Sequence, residues 1–236
     1  MKTAMNMAAF QDCKELLINL NTVQKPTEKG KNMSNVIYES VRGMQAIPIE
    51  DAFLRDRKIF LTGEVNDESC NKIIKQLMYM EGEDNTSPII FFIDSPGGSV
   101  AGGLQVYDTI RLMKSPVKAV VTGIAASMGS IILLACEKEN RLMFPSSRIM
   151  IHDCSFGNRN IAGLKPFEIE QELKQLKNIN NKLLSIISER TGKTMKQVAK
   201  VTMNDSYFDP KEAIAFGLVS KVVDSEEFNR IAQKGA

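Results

Sequence analysis

The chain has 236 residues, 43% hydrophobic and 25% charged, with a formal net charge of +2. That composition is ordinary for a globular protein, and no block of like charges marks a nucleic-acid or membrane surface. The length favours one large domain. The longest apolar stretch, 124–136, is too short for a membrane span and is broken by Ser127, Gly129 and Ser130.

Residues 1–33 are polar and rich in Lys and Asn, with a possible short helix at "FQDCKELLINL" and a linker at "QKPTEKGKN". They are expected to be an N-terminal extension or leader, with a single domain over 34–236. The first residues lack the continuous apolar core of a secretory signal. The four cysteines Cys13, Cys70, Cys136 and Cys154 lack metal-ligand or disulfide-framework spacing. A reduced, cytoplasmic setting is expected, with no metal and no cofactor.

From 58 onward the pattern alternates between short apolar strands and helices. "KIFLTGEV" (58–65) reads as a buried strand, followed by a helix opened by Asp67 as its cap. "PIIFFID" (88–94) is a second strand, then Pro96-Gly97-Gly98 and a helix over 99–114. "PVKAVVTG" (116–123) is a third strand, ending in a glycine and a helix over 125–136. "RLMF" and "SRIMIH" read as two short strands separated at Pro145. A long amphipathic helix follows from about Pro166 to Arg190, its apolar residues Ile169, Leu173, Leu176, Ile179, Leu183 and Ile186 stepping by three and four. A short helix, a turn at Asn204-Asp205, a helix from Pro210 and a strand "LVSKVV" complete the chain. Such alternation predicts an α/β fold with a mainly parallel sheet covered by helices.

If strands 88–94 and 117–122 are parallel with a right-handed crossover, the turns "SPGG" and "GIAASM" lie at the same carboxyl edge, where ligands bind in open α/β sheets. The Gly98 and Met128 amides would then form a pair of donors beside the Ser127 hydroxyl, the arrangement that holds a developing oxyanion. Taken alone, Ser127 is as readily a helix cap or a small packing residue as a nucleophile. A serine nucleophile needs a base and an orienting group. The only histidine is His152. For the acid, spacing does not separate Asp205 from Asp209 or Asp153.

Together "SPGGSVAGGLQVYDTI", "GIAASMGSIILLA", "FPSSRIMIH" and "FDPKEAIAFGLV" resemble the proteolytic subunit of the Clp protease, the ClpP family of serine peptidases. The similarity runs from about Lys58 to Val223, and more loosely from Met33. The resemblance implies a crotonase-like fold with the 166–190 helix as a protruding handle between two stacked seven-membered rings. It implies Ser127 as nucleophile, His152 as general base and acid, Asp205 as orienting carboxylate, and the Gly98 and Met128 amides as oxyanion hole. It also implies unfolded polypeptide substrates, and an AAA+ Clp unfoldase ATPase as partner. The absence of a G-x-x-x-x-G-K-[ST] loop fits an ATPase on another chain. Ile90, Phe92, Leu112, Leu142 and Phe144 match cleft positions where the unfoldase docks, although as apolar side chains they fit a core equally well.

Four departures suggest a divergent member, working alone or with a second ClpP subunit. Asp153-Cys154 replaces a Gln-Pro pair after the histidine, and the chain from His152 to Asp205 is about four residues longer. Asn204 stands where an arginine is usual, and "YESVRGMQAIPIEDAFL" matches poorly. Two rival readings keep the fold: a non-catalytic or regulatory subunit of a mixed ring, and an acyl-CoA hydratase or isomerase with carboxylate bases. No nucleic-acid or membrane partner is expected.

Overall fold

The structure, a computed structural model, describes residues 34–40, 43–156 and 163–233. The leader and its possible helix over 10–20 lie outside the described residues. The chain divides into two compact units at Arg55/Asp56. In the first, β1 (Asn35–Ser40) and β2 (Gly43–Pro48) pair antiparallel and lead into α1 (Ile49–Arg55). Neither the hairpin nor this helix is evident in the sequence pattern.

The second unit carries the sheet. Strands β3 (Lys58–Thr62), β4 (Ile89–Ser95), β5 (Val117–Ala126), β6 (Arg141–Met143) and β9 (Lys221–Val222) lie side by side, all parallel. Two more strands branch from β5: β7 (Arg148–Ile151) pairs parallel with it, and β8 (Ser206–Phe208) pairs antiparallel with β7. Helices α2 (Asp67–Glu83), α3 (Val100–Leu112), α4 (Met128–Leu134) and α5 (Pro166–Thr191) pack in sequence, each on the next. Then come α6 (Met195–Thr202), α7 (Pro210–Phe216) and α8 (Ser225–Ala232).

The central strands are apolar on both faces. Ile89, Phe91, Ile93, Ala119, Val120 and Val121 are fully buried. That is the pattern of a parallel sheet with both faces covered, and each large side chain contributes roughly 1.5–3 kcal/mol by leaving water.

Several boundaries differ from the sequence reading, each for a local reason. The cap of α2 is Asn66 and not Asp67: its side chain accepts from the Ser69 amide while Ser69 returns the bond, closing a capping box. Strand β5 does not stop at Gly123. Beyond it the strand changes partner, from β6 at Ala119–Val121 to β7 at Ile124–Ala126. The register against β4 slips between Ile93 and Ser95, and the Asp94 carboxylate fills the bulge by accepting from the Ile124 amide at 3.0 Å. A Cβ on Gly123 would lie 2.4 Å from that carboxylate, so this glycine marks a close approach within a strand. The following helix therefore starts later than expected, at Met128, and ends at Leu134. The final strand is only Lys221–Val222.

Helix α5 begins with Pro at its first turn and ends at Gly192 in the left-handed conformation. Its buried residues begin at Leu183, while Phe167, Ile169, Leu173 and Ile179 are exposed.

Candidate active site

Parallel pairing puts the carboxyl ends of β4, β5 and β7 at one edge, and each strand delivers one part of a site there. The turn after β4 holds Gly97 at φ 94° and Gly98 at φ 143°, a conformation L side chains rarely adopt. The turn also runs against its neighbours. A Cβ on Gly98 would fall 2.3 Å from the Val65 carbonyl oxygen. The turn is fixed by Val65 N–H donating to the Gly97 carbonyl, Ser99 N–H donating to the Val65 carbonyl and Gly97 N–H donating to Ser95 Oγ.

The turn after β5 holds Ser127 at φ 51°, ψ −119°. A non-glycine residue there stores on the order of 1–3 kcal/mol of strain. Its N–H donates to the Met150 carbonyl, and its own carbonyl accepts from Ser130 N–H and Ser130 Oγ–H. Its side chain makes no capping bond. This disposes of the helix-cap reading.

Strand pairing also brings His152 and Asp205 together. Ile151, the last residue of β7, pairs with Ser206, the first of β8. One step outward, His152 faces Asp205, and Nδ1 of His152 lies 2.9 Å from Oδ1 of Asp205. Nε2 of the same ring lies 2.8 Å from Ser127 Oγ. Hydroxyl, imidazole and carboxylate form one hydrogen-bonded chain. Asp209 is occupied elsewhere, accepting from Glu212 N–H as the cap of α7. Asp153 follows His152, and its main-chain N–H donates to the Thr202 carbonyl at 2.7 Å.

In this chain the ring can take the Ser127 proton at Nε2 while donating its Nδ1 proton to Asp205. The His152 side chain is 30% exposed and that of Asp205 61%, so solvent screens their attraction. Gly98, Ser127, Met128 and His152 border a cavity of about 270 Å³ whose far wall is apolar, with Ile131, Leu183, Leu184 and Ile187. Among the described residues neither the Gly98 nor the Met128 amide has a hydrogen-bond partner, which leaves both N–H groups available at the cavity. Cys154 also lines it, and burial pushes its thiol up, so it is not a thiolate competing with the serine. No group of three or more metal-ligating side chains occurs among the described residues, and no helix there is long and apolar enough to cross a membrane.

The five apolar positions matched to docking clefts separate. Ile90 and Leu142 are 2% and 3% exposed inside a core cluster with Val120, Val223 and Ile231, so neither presents a side chain to a partner. Phe92 and Phe144 pack half-buried on that cluster. Leu112 is 85% exposed.

The sequence reading overlooked Asn180. It borders the cavity, and its Oδ1 accepts from the Cys154 amide at 2.9 Å. The available signal was its spacing: 180, 183, 184 and 187 share one helix face, and only the first is polar.

Residues 41–226 of the chain match the family model for Clp protease.

Proposed function

The chain belongs to the Clp protease family, and from that premise we propose that it is a serine endopeptidase subunit cutting unfolded polypeptides with Ser127, His152 and Asp205. The observation that most supports this reading is the continuous hydrogen-bonded path from Ser127 Oγ through the His152 ring to Asp205.

Ser127 Oγ attacks the scissile carbonyl carbon as its proton passes to His152 Nε2. The carbonyl oxygen becomes an oxyanion held by the Gly98 and Met128 amides, whose residues both border the cavity. One such donor is commonly worth 10²–10³ in turnover. Asp205 keeps the Nδ1 proton in place and stabilises the imidazolium. His152 then protonates the leaving amine, and water, activated by the same ring, hydrolyses the acyl-enzyme. The apolar cavity wall takes an apolar substrate side chain.

The finer parts of the reading follow the same family. The subunit works in the cytoplasm within seven-membered rings, and an AAA+ unfoldase supplies substrate. The exposed Phe167, Ile169, Leu173 and Ile179 on α5 support self-association, since apolar surface of this kind is normally covered. Phe92, Phe144 and Leu112 remain the docking residues available to the unfoldase.

The test is labelling by a fluorophosphonate together with hydrolysis of a fluorogenic peptide. Wild type should react and turn over, and Ser127→Ala should do neither while assembling normally. Peptide hydrolysis retained by Ser127→Ala would overturn the assignment.

A further inference from the structure

Helix α5 places Asn180 at the head of an otherwise apolar stripe, Leu183, Leu184 and Ile187, which walls the cavity beside Ser127. Asparagine is a poor helix former, and its polar group on such a face needs a partner. The partner is main chain: Asn180 Oδ1 accepts from Cys154 N–H at 2.9 Å. Cys154 is two residues beyond His152, past the end of β7, where no strand pairing holds the chain.

The adjacent amide is also tied down. Asp153 N–H donates to the Thr202 carbonyl at 2.7 Å, at the end of the helix that precedes Asp205. Successive amides after His152 are thus anchored to two different helices. The Asp153 bond ties the segment to the element that precedes the carboxylate. The Cys154 bond ties it to the wall of the cavity.

From this arrangement we infer that Asn180 is a positioning residue for the proposed peptidase reaction: by holding Cys154 N–H it fixes where His152 leaves the sheet, and so keeps Nε2 within reach of Ser127 Oγ. The inference rests on the hydrolase reading above. Its chemical basis is that the ring must meet two partners at once, at 2.8 and 2.9 Å. A displacement of about 1 Å at such a junction costs up to about 10²-fold in rate. Losing the acceptor leaves the Cys154 amide to seek another partner, and the segment carrying His152 moves with it.

The experiment compares Asn180→Leu, Asn180→Ala and Asn180→Asp in the full chain. Four quantities are measured: the labelling rate with a small fluorophosphonate, kcat and KM for a fluorogenic peptide, and thermal stability. Leucine and alanine remove the acceptor, while aspartate keeps one at the same reach. The expected result is a fall of about 10- to 100-fold in labelling and kcat for Asn180→Leu and Asn180→Ala, with KM within about twofold. Asn180→Asp, compared at the plateau of its own pH profile, should stay within about threefold of wild type. The alanine variant decides the matter should leucine prevent folding.

Labelling at the wild-type rate in the variants lacking the acceptor would overturn the inference, whether or not they melt lower. So would a change confined to KM, which would make Asn180 a substrate contact, or an equal loss in Asn180→Asp. Wild type that does not label at Ser127 would overturn the hydrolase reading itself, a result distinct from these.

Discussion

A Cβ on Gly97 would fall 2.7 Å from the Cβ of Ser127. The two turns that shape the site therefore touch at a point where a single methyl group cannot fit. The same added atom would lie 2.7 Å from the Ala126 carbonyl oxygen, and Gly97 itself sits at φ 94°. Gly97→Ala thus meets left-handed strain of about 1–2 kcal/mol and overpacking of about 1–3 kcal/mol. The atoms the added Cβ meets belong to the β5–α4 turn, so relief that displaces this turn shifts Ser127 relative to His152. The variant is expected to lose about 2–4 kcal/mol of stability and at least about 10²-fold in fluorophosphonate labelling. Denaturant unfolding and labelling kinetics measure both. A variant as reactive as wild type would show that the contact of the two turns does not govern the serine.

Asp205→Asn separates hydrogen bonding from charge at nearly constant shape. As acceptor of the Nδ1 proton, Asp205 leaves Nε2 free to take the serine proton. An asparagine that turns its NH₂ toward the ring favours the opposite tautomer, with Nε2 already protonated. The expected loss in kcat is roughly 10²–10⁴, the range for a triad whose base is held in the wrong tautomer. Thermal stability should hardly move, because the carboxylate is largely exposed. Unchanged turnover in this variant would remove Asp205 from the mechanism.

The parts of this architecture that can be read from the chain are those set by local chemistry. The apolar runs of β3 and β4, the glycine turn at 97–98 and the four-residue spacing along α5 announce themselves. Gly123 shows where such reading stops. A glycine at the end of an apolar run looks like a terminator, but its role is to let the Asp94 carboxylate into a bulge, a partner 29 residues away in sequence. Strand β8 is three residues long, below the length at which alternation can be seen. That strand is what separates Asp205 from Asp153 and Asp209, because only its register against β7 sets Asp205 opposite His152. Asn180 escaped for the same reason, its partner being a main-chain amide on a distant segment.

Glu227 provides a test of electrostatics away from the site. On α8, 6% exposed, it accepts from Lys118 Nζ at 3.0 Å and lies 3.5 Å from both Lys221 Nζ and Arg230 Nη1. The Lys118 hydrogen bond, more than the opposing effect of burial, holds its carboxyl below the usual carboxylate range. A folded-state value below the unfolded one means the contribution is complete above the unfolded value of about pH 4.3 and drains away as pH falls through the lower, folded one. Glu227→Gln should therefore cost about 1–3 kcal/mol at pH 7, with the gap from wild type narrowing steadily as acid is added. Melting curves of both proteins from neutral pH into acid measure that gap. A difference that stays constant with pH would show that the substitution acts by shape and not by charge.

Ser127 combines a strained backbone with a side chain that forms no helix cap, and the two can be separated by substitution. At φ 51°, ψ −119° the residue occupies a region open to glycine and costly to any residue with a Cβ. Ser127→Ala removes the hydroxyl and keeps the strain. Ser127→Gly removes both, at the expense of about 0.4–1 kcal/mol of extra freedom in the unfolded chain. Strain relief of about 1–2 kcal/mol outweighs that loss, so Ser127→Gly should unfold at higher denaturant than Ser127→Ala, by roughly 0.5–1 kcal/mol. Both variants should fail to label. A glycine variant less stable than the alanine variant would show that the turn is not strained at this residue. The opposite order would show that the chain sacrifices stability to hold its hydroxyl against the imidazole, as expected of a position shaped by chemistry instead of packing.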